Sequence, residues 1–383
     1  MRFEFATATR IVFGEGKAAT LPDLVRTLGS RPLVVTGASK ARAASLIAAL
    51  SAETISVPGE PTVEMAREGA RLALRAGCDV VISIGGGSAI DAGKAIAAVS
   101  TNGGEPRDFL EVVGAGRAIT APPLPLVAVP TTAGTGSEVT RNAVLGSTEH
   151  GVKASMRSPL MLPRVALIDP ELTYGLPPAV TASTGLDALT QLIEPYVSAR
   201  ANPLADAICM EGIRRVAGAL RGAYHDGSNR EARRDMALAS LFGGLALANA
   251  GLGVVHGFAS VLGGKWKAPH GALCAAILAE GMAVNVSALR ARAPQHPALE
   301  RYAEIARLLT GRNEASAEDG IDWVRGLCAE LQVPPLRSWG VSEGDVHGVV
   351  VNTARASSTQ ANPIALTGDE LLAILHAALN RGV

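Results

Sequence analysis

The sequence predicts an α/β domain, with a parallel sheet and flanking helices, followed by an all-α domain. In the first half, short apolar runs rich in Val and Ile alternate with Ala/Leu stretches of helical spacing, the pattern of a parallel sheet covered on both faces. Several of these runs end in glycine. From Thr181 onward no β-run of comparable strength appears, and the chain reads almost wholly as helix.

Arg31-Pro32 leads into LVVTG (33–37), an apolar run closed by Gly37, and an Ala-rich helical stretch follows over 39–50. ETISVPG (53–59) is the next strand, and MAREGARLALRAG (65–77) has helical spacing and stops on a glycine. Residues 78–100 read as strand, glycine turn and helix, and 124–140 as an apolar strand running into a Gly/Thr turn. Both turns fall at the carboxyl ends of strands, where open parallel sheets bind ligands. The Pro-punctuated segment 165–180 reads as a joint, dividing the chain into 1–178 and 179–383. Helices are expected over 181–198, 204–223, 229–250, 254–264, 272–288, 298–310, 317–331 and 368–380.

Composition narrows the function classes. The 35 Lys+Arg against 35 Asp+Glu in 383 residues leave no excess of basic charge for nucleic acid or a membrane surface. With 48% hydrophobic and 18% charged residues, the chain can bury a large core. Cys78, Cys209, Cys274 and Cys328 are too widely spaced for a CxxC pair, which suits a reducing compartment. The N-terminal MRFEFATATRIVFGEG lacks a signal-peptide pattern, and no uninterrupted apolar stretch reaches about 18 residues. A cytoplasmic protein is expected, with no nucleic-acid or membrane partner.

Three loops carry candidate ligand chemistry. In Gly85-Gly86-Gly87-Ser88, the glycines allow close backbone approach, and the N–H groups of the following helix favour an anion such as pyrophosphate. This is not the GxGxxG fingerprint, and a tight turn without a ligand is the competing reading. The loop 130–138 adds Thr131, Thr132, Thr135 and Ser137, so two hydroxyl- and glycine-rich loops form a clamp for a phosphate-bearing cofactor. In the loop 36–42, Ser39, Lys40 and Arg42 occur without an acidic residue, which favours NADP over NAD unless they are only a solvated basic helix start.

The helical half holds a second constellation. Asp187 and Gln191, four residues apart, share one face of an apolar helix, while His256 and His270 lie in apolar, Gly-flanked segments. An Asp, two His and an amide oxygen make a four-ligand set for a borderline divalent ion. A hydrogen-bonded buried His pair is the alternative.

Taken together, FGEG (13–16), GGGSAIDAGKAIA (85–97), PTTAGTGSEVT (130–140), LIDPELT (167–173), TGLDALTQLIEPYVS (184–198), the 256–272 stretch and Asn362-Pro363 resemble the iron-containing, group III alcohol dehydrogenases of the dehydroquinate-synthase-like fold. The resemblance implies a dinucleotide-binding α/β domain (1–178) and a helical metal/substrate domain (179–383). It implies that Gly86, Gly87, Ser88, Thr131, Thr132, Thr135 and Ser137 bind NAD(P)H, with Asp91 and Lys153 near it. It places Fe2+ or Zn2+ on Asp187, His256 and His270, with Gln191 where the family usually has His.

Two further departures are Ser260, where the family often carries a proton-relay His, and Gly37, where an Asp favouring NAD is common. The implied activity is reversible hydride transfer between nicotinamide and a small aldehyde or ketone, with Ser260 and His270 as catalytic candidates, in a homodimer. Two alternatives remain. One is a metal-independent, maleylacetate-reductase-like enzyme for oxo acids, with Lys265, Lys267 and Arg355 as candidate cations; the other is a dehydroquinate-synthase-like lyase. A buried Asp187 without a cation is costly, so a divalent ion is expected.

Overall fold

The structure is a computed structural model that describes residues 2–38, 40–147 and 152–380, without the side chain of Lys40. It divides into two compact units, Ala6–Tyr174 and a second from Gly175 onward that also takes in residues 2–5.

The first unit runs β1 (Arg10–Phe13), α1 (Leu21–Arg26), β2 (Pro32–Thr36), α2 (Ala44–Ala48), β3 (Glu53–Ser56), α3 (Val63–Ala76), β4 (Val80–Gly85), α4 (Gly87–Asn102), β5 (Leu126–Pro130), β6 (Asn142–Ser147), β7 (Val152–Arg157) and β8 (Val165–Ile168). Six strands form a sheet in the order β1-β8-β5-β4-β2-β3, every pair parallel. Alternate side chains serve its two faces: Val34 packs with Leu21, Leu24 and Ala43, whereas Leu33 and Val35 pack with Ala73, Ala92 and Ile96. Burial on both faces is why β2, β4 and β5 read as unbroken apolar runs.

Four strands escaped the sequence reading. RIVF is an edge strand with no strong apolar run, and its pattern is half exposed. Val165–Ile168, read as part of a joint, is a buried strand placed between β1 and β5. The antiparallel β6–β7 pair stands outside the main sheet, and its Ala143, Leu145, Ala154 and Met156 cover Ala95, Ala98 and Val99 of α4. That lid explains why α4 is buried from Ala89 to Val99 and is apolar nearly all round.

The second unit consists of α5 (Pro178–Val197), α6 (Pro203–His225), α7 (Arg230–Ala250), α8 (Val254–Lys265), α9 (His270–Arg292), α10 (Ala298–Thr310), α11 (Ala317–Glu330), α12 (Val346–Arg355) and α13 (Gly368–Leu379), with short 3-10 turns on either side of α12. The eight expected helices are present with small shifts of their ends; α12 was not anticipated. α9 is long and apolar enough to cross a membrane by length and composition, but 78% of its apolar window is buried inside the unit, as in a core helix.

Candidate active site

The two glycine loops of the α/β unit start side by side, because Gly85 at the end of β4 is in register with Pro130 at the end of β5. They come close again beyond that point. A Cβ added at Gly87 would lie 2.7 Å from Thr135 Cγ2, and one at Gly86 would lie 3.2 Å from Thr132 Oγ1. Gly86 is the N-cap of α4, and no side chain caps that end. Its first N–H groups and the helix dipole therefore face outward beside the Thr131, Thr132 and Thr135 loop, an arrangement suited to an anion.

Behind the loops lies a buried charged cluster. Asp91 accepts hydrogen bonds from Ser137 Oγ (3.1 Å) and the Val144 N–H (3.0 Å), while Lys94 donates to Thr140 Oγ1 (2.7 Å) and the Asn142 carbonyl (2.9 Å). These bonds tie α4 to the second loop and to β6. Burial pushes the Asp91 carboxyl up and the Lys94 ammonium down, each opposed by the other's charge. Burial likewise raises Glu138 to about 7, against the pull of its own backbone N–H and Lys94. Lys153, on β7, is 3.0 Å from Glu60. Ser39 lies outside the described residues; Arg42 donates to the Tyr174 carbonyl at 2.6 Å.

The second constellation lies in the helical unit. Asp187, Gln191 and Glu194 occupy one face of α5 at i, i+4 and i+7, and all three are buried. Glu194 accepts from the Val255 N–H (2.7 Å) at the start of α8 and pairs with His256 Nδ1 at 2.6 Å, so one carboxylate sets both the helix end and the ring. Asn362 Oδ1 accepts the neighbouring Val254 N–H at 3.1 Å, which gives the Asn362-Pro363 motif a place in the same construction. α9 begins at His270 hard against α5: a Cβ at Gly271 would stand 2.2 Å from the Ser183 carbonyl oxygen, so only glycine fits.

The result is a tight set of donors. One atom each from Asp187, His256, His270 and Cys274 lies within 4.8 Å of all the others. Asp187 Oδ1 is 3.5 Å from His256 Nε2 and 3.8 Å from His270 Nε2, too far for strong hydrogen bonds. Asp187 Oδ1, Gln191 Oε1 and His256 Nε2 are all buried without a hydrogen-bond partner. Burial pushes the Asp187 carboxyl up, but the two imidazoles outweigh it and hold it below the ordinary carboxylate range. Burial pulls His256 down, yet Cys274, Glu194 and Asp187 raise it well above imidazole's ordinary value, and His270 is raised in the same way by Cys274 and Asp187.

Residues 8–170 match the iron-containing alcohol dehydrogenase family, and residues 181–379 match the C-terminal part of the Fe-containing alcohol dehydrogenase family. The chain belongs to the iron-containing alcohol dehydrogenases. Alcohol dehydrogenase 4 of Schizosaccharomyces pombe is 39% identical over 324 residues, covering 84% of this chain and 74% of the relative. The crystal structure of a 1,3-propanediol oxidoreductase superposes with a TM-score of 0.91 at 34% identity, over 99% of this chain and all of the other. A sulfoacetaldehyde reductase from Bifidobacterium kashiwanohense, solved in complex with NAD+, gives a TM-score of 0.85 at 30% identity over 100% of both chains. As a member of this family, the protein is an oxidoreductase acting on CH–OH groups.

In this alcohol dehydrogenase the sequence-selected Asp187, His256 and His270 meet in space, and Gln191 follows one turn along α5. Ser260 lies on α8 one turn after His256 and is exposed. Two neighbours were missed. Glu194 was recoverable as the i+7 partner of Asp187, and Cys274 as the i+4 partner of His270, both helical spacings.

Proposed function

We propose that this protein catalyses reversible hydride transfer between NAD(P)(H) and a small, neutral alcohol or carbonyl compound, with a divalent metal held by Asp187, Gln191, His256 and His270. The observation that carries this is the trio of buried, unpartnered atoms Asp187 Oδ1, Gln191 Oε1 and His256 Nε2. A buried carboxylate oxygen, an amide oxygen and an imidazole nitrogen without partners are costly alone and are the donors a borderline cation takes. They fit the ion that the family implies. When bound, the metal supplies Lewis-acid polarisation of the substrate oxygen, and the nicotinamide gives or accepts the hydride.

The chain's own residues do the rest. Glu194 fixes His256 through Nδ1, leaving Nε2 directed to the donor set. Gly86, Gly87 and Ser88 at the head of α4 hold the pyrophosphate by backbone N–H groups, and Thr131, Thr132, Thr135 and Ser137 add hydroxyls. Asp91 holds Ser137 in place and, with Lys153, stands next to the cofactor. Ser39 and Lys40 supply the preference for NADP. Ser260, exposed one turn beyond His256, passes the proton between the substrate oxygen and solvent, while His270 acts on that oxygen as a ligand of the metal. The nucleotide role belongs to residues 1–178 and the metal and substrate role to 179–383.

The oxo-acid alternative is less well supported: Lys265 is already paired with Asp345 at 2.6 Å and stacked on Trp266. Family membership and the outer edge of β1, unpaired among the described residues, support a homodimer. Cys78, Cys209, Cys274 and Cys328, too widely spaced for a CxxC pair, agree with a reducing, cytoplasmic setting. The test is a screen of NADPH and NADH oxidation across neutral and carboxylated carbonyl compounds, with and without chelator. Faster oxidation of NADPH with neutral substrates, lost on chelation, is expected; chelator-insensitive turnover of carboxylated substrates would favour the oxo-acid reading.

A further inference from the structure

The metal-centre reading places an amide where a stronger donor is usual, yet the structure brings a thiol to the same point. Cys274 lies one turn after His270 on α9, fully buried, with Sγ 3.7 Å from His270 Nε2. That separation also suits a weak thiol–imidazole contact. What distinguishes the two is the shape of the whole set. Sulfur, one carboxylate oxygen and two imidazole nitrogens all lie within 4.8 Å of one another, with 3.5 Å from Asp187 to His256, 3.7 Å from Cys274 to His270 and 3.8 Å from Asp187 to His270. Donors around a tetrahedral ion at bond lengths of about 2.0–2.3 Å stand about 3.3–3.8 Å apart. Asp187 Oδ1 and His256 Nε2 in this set lack any other partner.

We propose that Cys274 is a direct ligand of the metal through Sγ, and that the resulting Asp-His-His-Cys set selects zinc over iron(II). The thiolate compensates for Gln191, whose neutral carboxamide is the weakest donor of the five. A soft sulfur donor with two imidazoles and one carboxylate is a zinc-type set, whereas replacing it by further oxygen donors moves the preference towards harder ions. On binding, the thiol proton leaves to solvent and the metal–sulfur bond forms, with no change of oxidation state. This rests on the metal-centre reading above.

Cobalt(II) loading of chelator-stripped protein separates the two claims. The wild type is expected to show a near-ultraviolet sulfur-to-cobalt charge-transfer band. The other thiols are not expected to interfere: among the described residues Cys78, Cys209 and Cys328 belong to no cluster of three or more potential ligands. Cys274→Ser is expected to bind cobalt without that band and to hold zinc about tenfold or more weakly. In anaerobic competition at equal zinc and iron(II), elemental analysis should find mostly zinc in the wild type and a smaller preference in C274S.

Cobalt bound by the wild type without the band, or an unchanged zinc preference in C274S, overturns the role of Cys274 and leaves the metal centre standing. No uptake of cobalt or zinc by the wild type overturns the metal centre and this assignment with it. The wild-type spectrum decides the matter even if the variant fails to fold.

Discussion

Asp187 has one carboxylate oxygen buried without a partner, 3.5 and 3.8 Å from two imidazoles whose protonation it favours. Removing its charge while keeping its shape tests whether a cation belongs there. Asp187→Asn should lower metal content and reduce turnover by at least about a hundredfold, with little change in the Kd for NAD(P)H. Equal loss of cofactor binding would point to a structural role. Glu194 acts one step further out. Because it holds His256 Nδ1 and the start of α8 together, Glu194→Gln should weaken metal affinity about 10–100-fold with the fold retained, read by competition with a chromophoric chelator. Asp187 and Gln191 drew notice by their helical spacing, and His256 and His270 by their apolar, Gly-flanked segments, but it was the family resemblance that singled out the four as ligands. Cys274 and Glu194 carried the same spacing signal, but a lone Cys or Glu in an apolar helix does not stand out until the fold shows what it faces.

At the scale of elements, the start of α4 and the Thr-rich loop form one packed piece. Gly87→Ala places a Cβ 2.7 Å from Thr135 Cγ2 and 2.8 Å from its Oγ1, so the loop must shift. Weaker NAD(P)H binding, by about tenfold, and about 1–3 kcal/mol of lost stability are expected. Unchanged titration of the cofactor would argue against a binding role for this turn. The buried cluster behind the loop gives a pH signature. Glu138 has its folded-state pKa raised from 4.5 to about 7, so the folded protein binds this proton more tightly than the unfolded chain. The associated stability is complete below the unfolded value and is lost as pH rises through about 7. Relative to Glu138→Gln, the wild type should therefore lose up to about 3 kcal/mol between about pH 5 and 8, measured by urea unfolding. A constant difference would contradict this. The sheet's central strands were legible because burial on both faces leaves continuous Val/Ile runs. β1, β6 and β7 were not, since strands half exposed or outside the main sheet lack such runs.

For the whole molecule, the two compact units each have a core of their own, and their ligands are proposed to act on different ones. Trp266, Trp323 and Trp339 are the only tryptophans and all lie in the helical unit, so their fluorescence follows that unit alone. Metal at about a hundred times its Kd should stabilise the tryptophan-detected transition by about 2.7 kcal/mol. No shift on adding metal to stripped protein would count against a site among α5, α8 and α9. The change from alternating strands and helices to helices alone was visible in the sequence, because the hydrophobic period itself changes there. Val165–Ile168 was the exception, since four residues next to prolines resemble a linker until their sheet neighbours are known.

The decisive measurement is NAD(P)H oxidation by a neutral aldehyde, taken with elemental analysis on the same preparation before chelation, after it, and after reloading with zinc or iron(II). Activity should fall with the metal content, return on reloading, and fail to return in Asp187→Asn. Undiminished turnover in protein carrying no measurable metal would contradict metal-assisted hydride transfer at this site.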